Sequence, residues 1–179
     1  MHSFYLFLWI FFIYSFLGWC LEVCFFALNT GKFVNRGFLN GPVCPIYGFG
    51  VVIVVLCLTP LMENTLLLFL GSVLLTSLLE LGVGFALEKL FHQRWWDYTN
   101  EPFNLGGYIC LRFSLAWGLL TGAALPPVQR ALGPVLAAIP PAVTYAVLLV
   151  FTADAVVSLR LLRRAGDPGI LSLRALGRA

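Results

Sequence analysis

The chain has 179 residues, 60% of them hydrophobic and only 11% charged, with a mean hydropathy of +0.93. Soluble domains carry about 25% charged residues, so the composition excludes one and defines an all-α integral membrane protein. The formal charge of +3 is scattered over helix ends and gives no basis for a nucleic-acid partner.

A membrane span needs about 20 mainly apolar residues. Five stretches qualify, 4–28, 46–61, 65–90, 108–125 and 135–159, predicting a bundle of about five transmembrane helices in a single transmembrane domain, 1–179. The first has no basic leader and no small-residue cleavage site, so it reads as a span rather than a signal peptide. It carries Glu22, about two turns from its end. The second is short and opens with glycines. The third places Glu80 near its middle, with Gly84 and Glu88 following on the same face. The fourth holds Arg112 about one turn inside. In the fifth, Pro140 and Pro141 predict a kink near the start and Asp154 lies further along.

Cations follow the first span (Lys32, Arg36), the third (Lys89, Arg94) and the fifth (Arg160, Arg163, Arg164, Arg174, Arg178). The turn around Glu63 has none, and that near Gln129 has only Arg130. The positive-inside rule therefore puts the N-terminus outside, the C-terminus in the cytoplasm and the two polar loops on the cytoplasmic side of the inner membrane. The basic tail reads as a stop-transfer flank or as a segment along the inner surface. The five cysteines (20, 24, 44, 57 and 110) then sit in spans or at the reducing side, as packing thiols rather than a disulfide framework.

Ionisable side chains in hydrocarbon are costly, by about 2.5–3.5 kcal/mol each on insertion scales, and usually mark a substrate or ion pathway. Glu22, Glu80, Glu88, Arg112 and Asp154 are expected to turn inward around a polar cavity open to the cytoplasm, with Arg112 pairing with Glu22 or Glu80. The first loop, "FVNRGFLNGPVCPIYGFG" (33–50), is longer than the roughly 2–8 residues that join two helices. It reads as a structured loop, with Asn35, Arg36, Asn40 and Tyr47 offering polar groups to a ligand. The second, "RWWDYTNEPFNLGGYIC" (94–110), offers Asp97, Tyr98 and Asn104. Trp95, Trp96 and Tyr98 read as interface anchors, and Asp97 as a partner of Arg36 or Arg94 or as a helix cap. Each hairpin has a Glu in its first helix and then a loop with Asn, Pro and Gly, which suggests a parallel repeat.

No G-x-x-x-x-G-K-[ST] or H-E-x-x-H stretch occurs, so no nucleotide site, cofactor or metal centre is expected in this chain.

The segments "GWCLEV", "VNRGFLNGPVCPIYGFG", "LLE", "WWDYTNEPFNLGGYIC" and "SLAWG" together resemble the bacterial family called "Putative ABC-transporter type IV". The resemblance covers about residues 10–120, leaving the last span and tail, 135–179, outside it. It implies a permease served by a separate ATPase subunit.

The leading expectation is thus a membrane transport subunit, a homo-oligomer or one with a partner chain, since about five spans are few for a complete carrier. Its substrate set would be Glu22, Asn35, Arg36, Asn40, Tyr47, Glu80, Glu88, Asp97, Tyr98, Asn104 and Arg112. The alternatives are an intramembrane enzyme on a lipid or isoprenoid head group, with Glu22, Glu80 and Asp97 as acid/base candidates, and an accessory subunit of a membrane complex.

Overall fold

The computed structural model describes residues 2–92 and 94–165; the tail beyond, with Arg174 and Arg178, lies outside the described residues. Among the described residues the regular structure is helical apart from one small ribbon. Its elements are α1 (His2–Thr30), α2 (Pro45–Leu58) with a 3-10 turn (Thr59–Leu61), α3 (Thr65–Phe91), β1 (Asn104–Leu105), β2 (Ile109–Cys110), α4 (Leu111–Ala137) and α5 (Pro141–Ala165).

Local chemistry sets these limits. Pro45 starts α2, where a missing N–H costs nothing, and Pro60 tightens its end into the 3-10 turn. Asn64 caps α3, its side chain accepting from the Leu67 N–H at 3.1 Å. His92, with φ at 55°, turns the chain out of α3 while its N–H reaches the Glu88 carbonyl at 2.8 Å.

Among the described residues, three helices are long and apolar enough to cross a membrane: Phe4–Thr30, Thr65–Phe91 and Pro141–Leu162. Pro45–Leu61 is apolar but shorter. In α3 the exposed residues Leu66, Leu70, Leu74 and Leu78 form one stripe at four-residue spacing. Leu68, Ser72, Glu80 and Gly84 are buried on another, also spaced in multiples of four. One face of α3 is thus suited to lipid, and the other carries the carboxylate inward.

The fourth and fifth helices correct the expected boundaries. Gln129 and Arg130, expected in a turn, lie inside α4, which continues through Pro126, Pro127 and Pro134. Pro140 and Pro141 do not kink a span; they mark the break between α4 and α5, with Pro141 as the first residue of α5. Membrane helices tolerate proline because neighbouring groups and local adjustment satisfy the freed backbone, so proline pairs are poor guides to where such helices end.

The chain forms two compact units, Met1–Phe49 with Ile139–Ala179, and Gly50–Ala138. In the first, α1 and the start of α2 meet at glycines. A Cβ added to Gly48 would lie 2.3 Å from the Ser15 hydroxyl oxygen and 2.5 Å from the Phe11 carbonyl oxygen. Phe11, Phe12, Phe49 and Phe151 build an aromatic cluster with centroids 4.8–5.6 Å apart. The Trp9 indole donates to Thr144 at 2.8 Å, tying α1 to α5. In the second unit, α3 and α4 approach closely where Gly118 faces Val73, and Ser77 and Ser114 share a hydrogen bond of 2.8 Å. Small residues at contacts are the usual means of packing helices in lipid.

Candidate functional site

Each unit pairs an α-helical glutamate with a phenol beside a loop tied by an asparagine. In the first unit the Tyr47 ring crosses Gly18, where an added Cβ would lie 2.2 Å from the ring. Only glycine leaves room for it. Glu22 lies one turn beyond Gly18 on the same face, and the Tyr47 hydroxyl donates to its Oε1 at 2.5 Å.

The segment before Tyr47 is organised by Asn35, which is 7% exposed. Its Oδ1 accepts from the Trp19 indole at 2.7 Å and from the Gly37 N–H at 2.9 Å. Its amide nitrogen donates to the carbonyls of Leu39 and Asn40 at 3.1 and 3.0 Å. Both donors and both acceptor positions of the amide are filled. The loop is further held by α5: Asn40 donates through its N–H and side chain to Ser158, and the Gly41 N–H donates to Asp154 at 2.9 Å. At its end the Cys44 N–H donates to the Ser15 carbonyl at 2.9 Å. Arg36 is exposed, its guanidinium 4.9 Å from the centre of the Phe26 ring.

In the second unit Glu80, 8% exposed, accepts from the Tyr98 hydroxyl at 2.9 Å. Tyr98 stacks on Phe113 with centroids 4.8 Å apart and planes 19° from parallel. Asn104 repeats the role of Asn35: its amide donates to the Thr99 and Glu101 carbonyls at 3.1 and 2.9 Å and its Oδ1 accepts from Gly107 at 3.2 Å. The Trp96 indole donates to the Tyr108 carbonyl at 2.9 Å, and both rings would meet a Cβ placed on Gly84. Trp96 and Tyr98, expected as interface anchors, thus contact the protein itself.

Arg94 centres the charged end of this loop. It pairs with Glu88 at 2.9 Å and Asp97 at 3.3 Å, and lies over the Tyr108 ring at 4.9 Å. Gly107 closes over the cluster, for an added Cβ would meet Arg94, Asp97 and Thr99 within 2.7 Å. Hydrogen bonds from the Thr99 hydroxyl and N–H, then the Arg94 charge, hold the Asp97 carboxyl below its usual range. The Tyr108 phenol is raised, first by its hydrogen bond with Glu88. Asp97 therefore takes the Arg94 partnership, one of the alternatives its sequence left open.

Arg112 departs from expectation. It is the second residue of α4, 72% exposed, and its ion pair is with Glu101 at 3.6 Å rather than with Glu80. Glu101, Trp19 and Ser158 had no mark in the sequence as site residues. Their partners lie 11, 16 and 118 residues away, beyond any helical spacing. Among the described residues, no three His, Cys, Asp or Glu side chains gather as a metal site.

Apolar helices of spanning length, one of them with Glu80 on its buried face, define a helical membrane protein. The chain belongs to the family described as "Putative ABC-transporter type IV", whose model matches residues 9–159. The match extends well past residue 120 and takes in most of α5, with Asp154 and Ser158. No curated protein and no solved structure matches the chain.

Proposed function

We propose that this chain is the membrane subunit of a transport system, a permease of the inner membrane, with a separately encoded ATPase supplying the energy. The pairs Glu22–Tyr47 and Glu80–Tyr98 are its stations for a polar or amphipathic solute, and Glu80 carries a proton or cation. Asn35 and Asn104 act by fixing the loops that bring the phenols or their neighbours into place. The observation that carries this reading is Glu80, buried on the inward stripe of an apolar span and met by a phenol from the following loop. Ionisable groups so placed usually serve a substrate or ion pathway. Family membership supports the transport class.

The test is native mass spectrometry of protein purified gently from its own membranes, beside Glu80→Gln. A co-purifying ATPase is the expected result. In cells, Glu80→Gln should abolish uptake while the protein still folds. A bound lipid or small molecule, lost in the variant with no ATPase present, would replace this reading with an intramembrane enzyme.

A further inference from the structure

The two loops differ in charge balance. Segment 88–112 sets Glu88, Asp97 and Glu101 against Lys89, Arg94 and Arg112. Its arginines are matched, Arg94 to Glu88 and Asp97, and Arg112 to Glu101. Segment 23–44 holds Lys32 and Arg36 and no carboxylate. The acids described in the same unit are engaged elsewhere: Glu22 with Tyr47, and Asp154 with the Gly41 N–H and Ser158. Among the described residues neither Lys32 nor Arg36 forms an ion pair, and both are exposed.

Apolar side chains accompany these cations. Phe25, Leu28 and Phe33 are 54%, 88% and 71% exposed. Phe26 supports the Arg36 guanidinium from below. The Thr30 hydroxyl, bonded back to the Phe26 carbonyl at 2.8 Å, accepts from the Lys32 N–H at 3.4 Å, so Lys32 begins at a fixed point on the helix end. Cations without acids, beside bare aliphatic and aromatic side chains at the end of a spanning helix, match the chemistry of a phospholipid: phosphate above, acyl chain below. A guanidinium adds two parallel N–H donors suited to phosphate oxygens.

We propose that segment 25–36 is a docking surface for anionic phospholipid, with Lys32 and Arg36 on the head-group phosphate and Leu28 and Phe33 among the acyl chains. The proposal uses neither the carboxylate nor the phenol of either pair, so it holds whether the chain is a permease or an enzyme.

The test exposes purified full-length protein to equal phosphatidylglycerol and phosphatidylcholine and counts the retained lipids by native mass spectrometry. Wild type should retain phosphatidylglycerol in preference. Losing either of these two charges should weaken that preference about fivefold, so Lys32→Gln with Arg36→Gln brings the two lipids close to parity. Arg36→Lys should keep most of it. Lys89→Gln removes a cation from the end of α3, over Phe85, and should leave the preference intact. An unchanged preference in the double variant would overturn the proposal. So would an equal loss in Lys89→Gln, which would make the attraction a diffuse property of the membrane-facing charge. Size-exclusion profiles check that each variant folds.

Discussion

The Tyr47 ring and Gly18 occupy space that no second side chain can share, because a Cβ on Gly18 would fall 2.2 Å from the ring. This contact sets the height of the phenol against Glu22, one helical turn away. Gly18→Ala should therefore displace the phenol and destabilise the protein by about 1–3 kcal/mol, as overpacking does. Gly48→Ala should cost more, since it meets the Phe11 backbone carbonyl at 2.5 Å. A ring can swing aside; a helix backbone cannot. Thermal unfolding in detergent ranks the two, and equal midpoints would refute the argument.

Asn35 should tolerate neither Ala nor Asp. Alanine strands the Trp19 indole, the Gly37 N–H and two carbonyls, and each unmet buried group costs about 1–3 kcal/mol. Aspartate keeps the acceptors but loses both donors and adds a buried charge. Both variants should lower the unfolding midpoint, and Trp19 emission should shift as its indole loses its partner.

For Tyr98 the ring and the hydroxyl separate cleanly. Tyr98→Phe keeps the stack on Phe113 and removes the bond to Glu80, an expected loss of about 1–3 kcal/mol. Tyr98→Ala removes both and should lose more. If the two variants unfold at the same temperature, the stack contributes nothing.

Acid should loosen the second loop through Asp97. Its folded-state pKa lies below the unfolded value, so its stabilisation is fully present above the ordinary aspartate range, near about 3.9. It is lost as pH falls through the lower, folded value. Hydrogen exchange at Thr99 and Gly107 should accelerate over that interval, and Asp97→Asn should flatten the response. The amide cannot gain or lose the charge that the loop reads.

Arg112→Gln should change stability by less than about 0.5 kcal/mol, because an exposed pair at 3.6 Å is worth little in water. A large loss would mean that Arg112 has a role within the span after all.

The contrast between Arg112 and Glu80 shows how far this sequence could be read. The apolar runs placed α1, α2 and α3 within a few residues, because hydrocarbon sets the length and composition of a span. Glu80 declared itself by its cost in that medium. Arg112 was misjudged through register: with the span starting at 108 it sits a turn deep, whereas α4 begins at Leu111 and leaves it at the rim. The prolines misled for a related reason, since the rule that proline ends helices weakens where neighbouring groups satisfy the backbone. The phenol partners could not be paired in advance. Tyr47, at the start of α2, is 25 residues from Glu22 and Tyr98, in the second loop, is 18 from Glu80, and no periodicity links separate elements. Asn35 and Asn104 were visible as polar residues; their matching role as knots appeared only from the carbonyls they reach.

The clasp between the first loop and α5 has a consequence for biogenesis. Gly41 and its acceptor Asp154 are 113 residues apart, and the whole second unit is encoded between them. At about 5–20 residues per second of synthesis, the first loop waits about 6–23 seconds for its clasp to be made. During that interval its Asn40 and Gly41 amides must find other partners. The first loop is finished only by α5, a helix made more than a hundred residues after it.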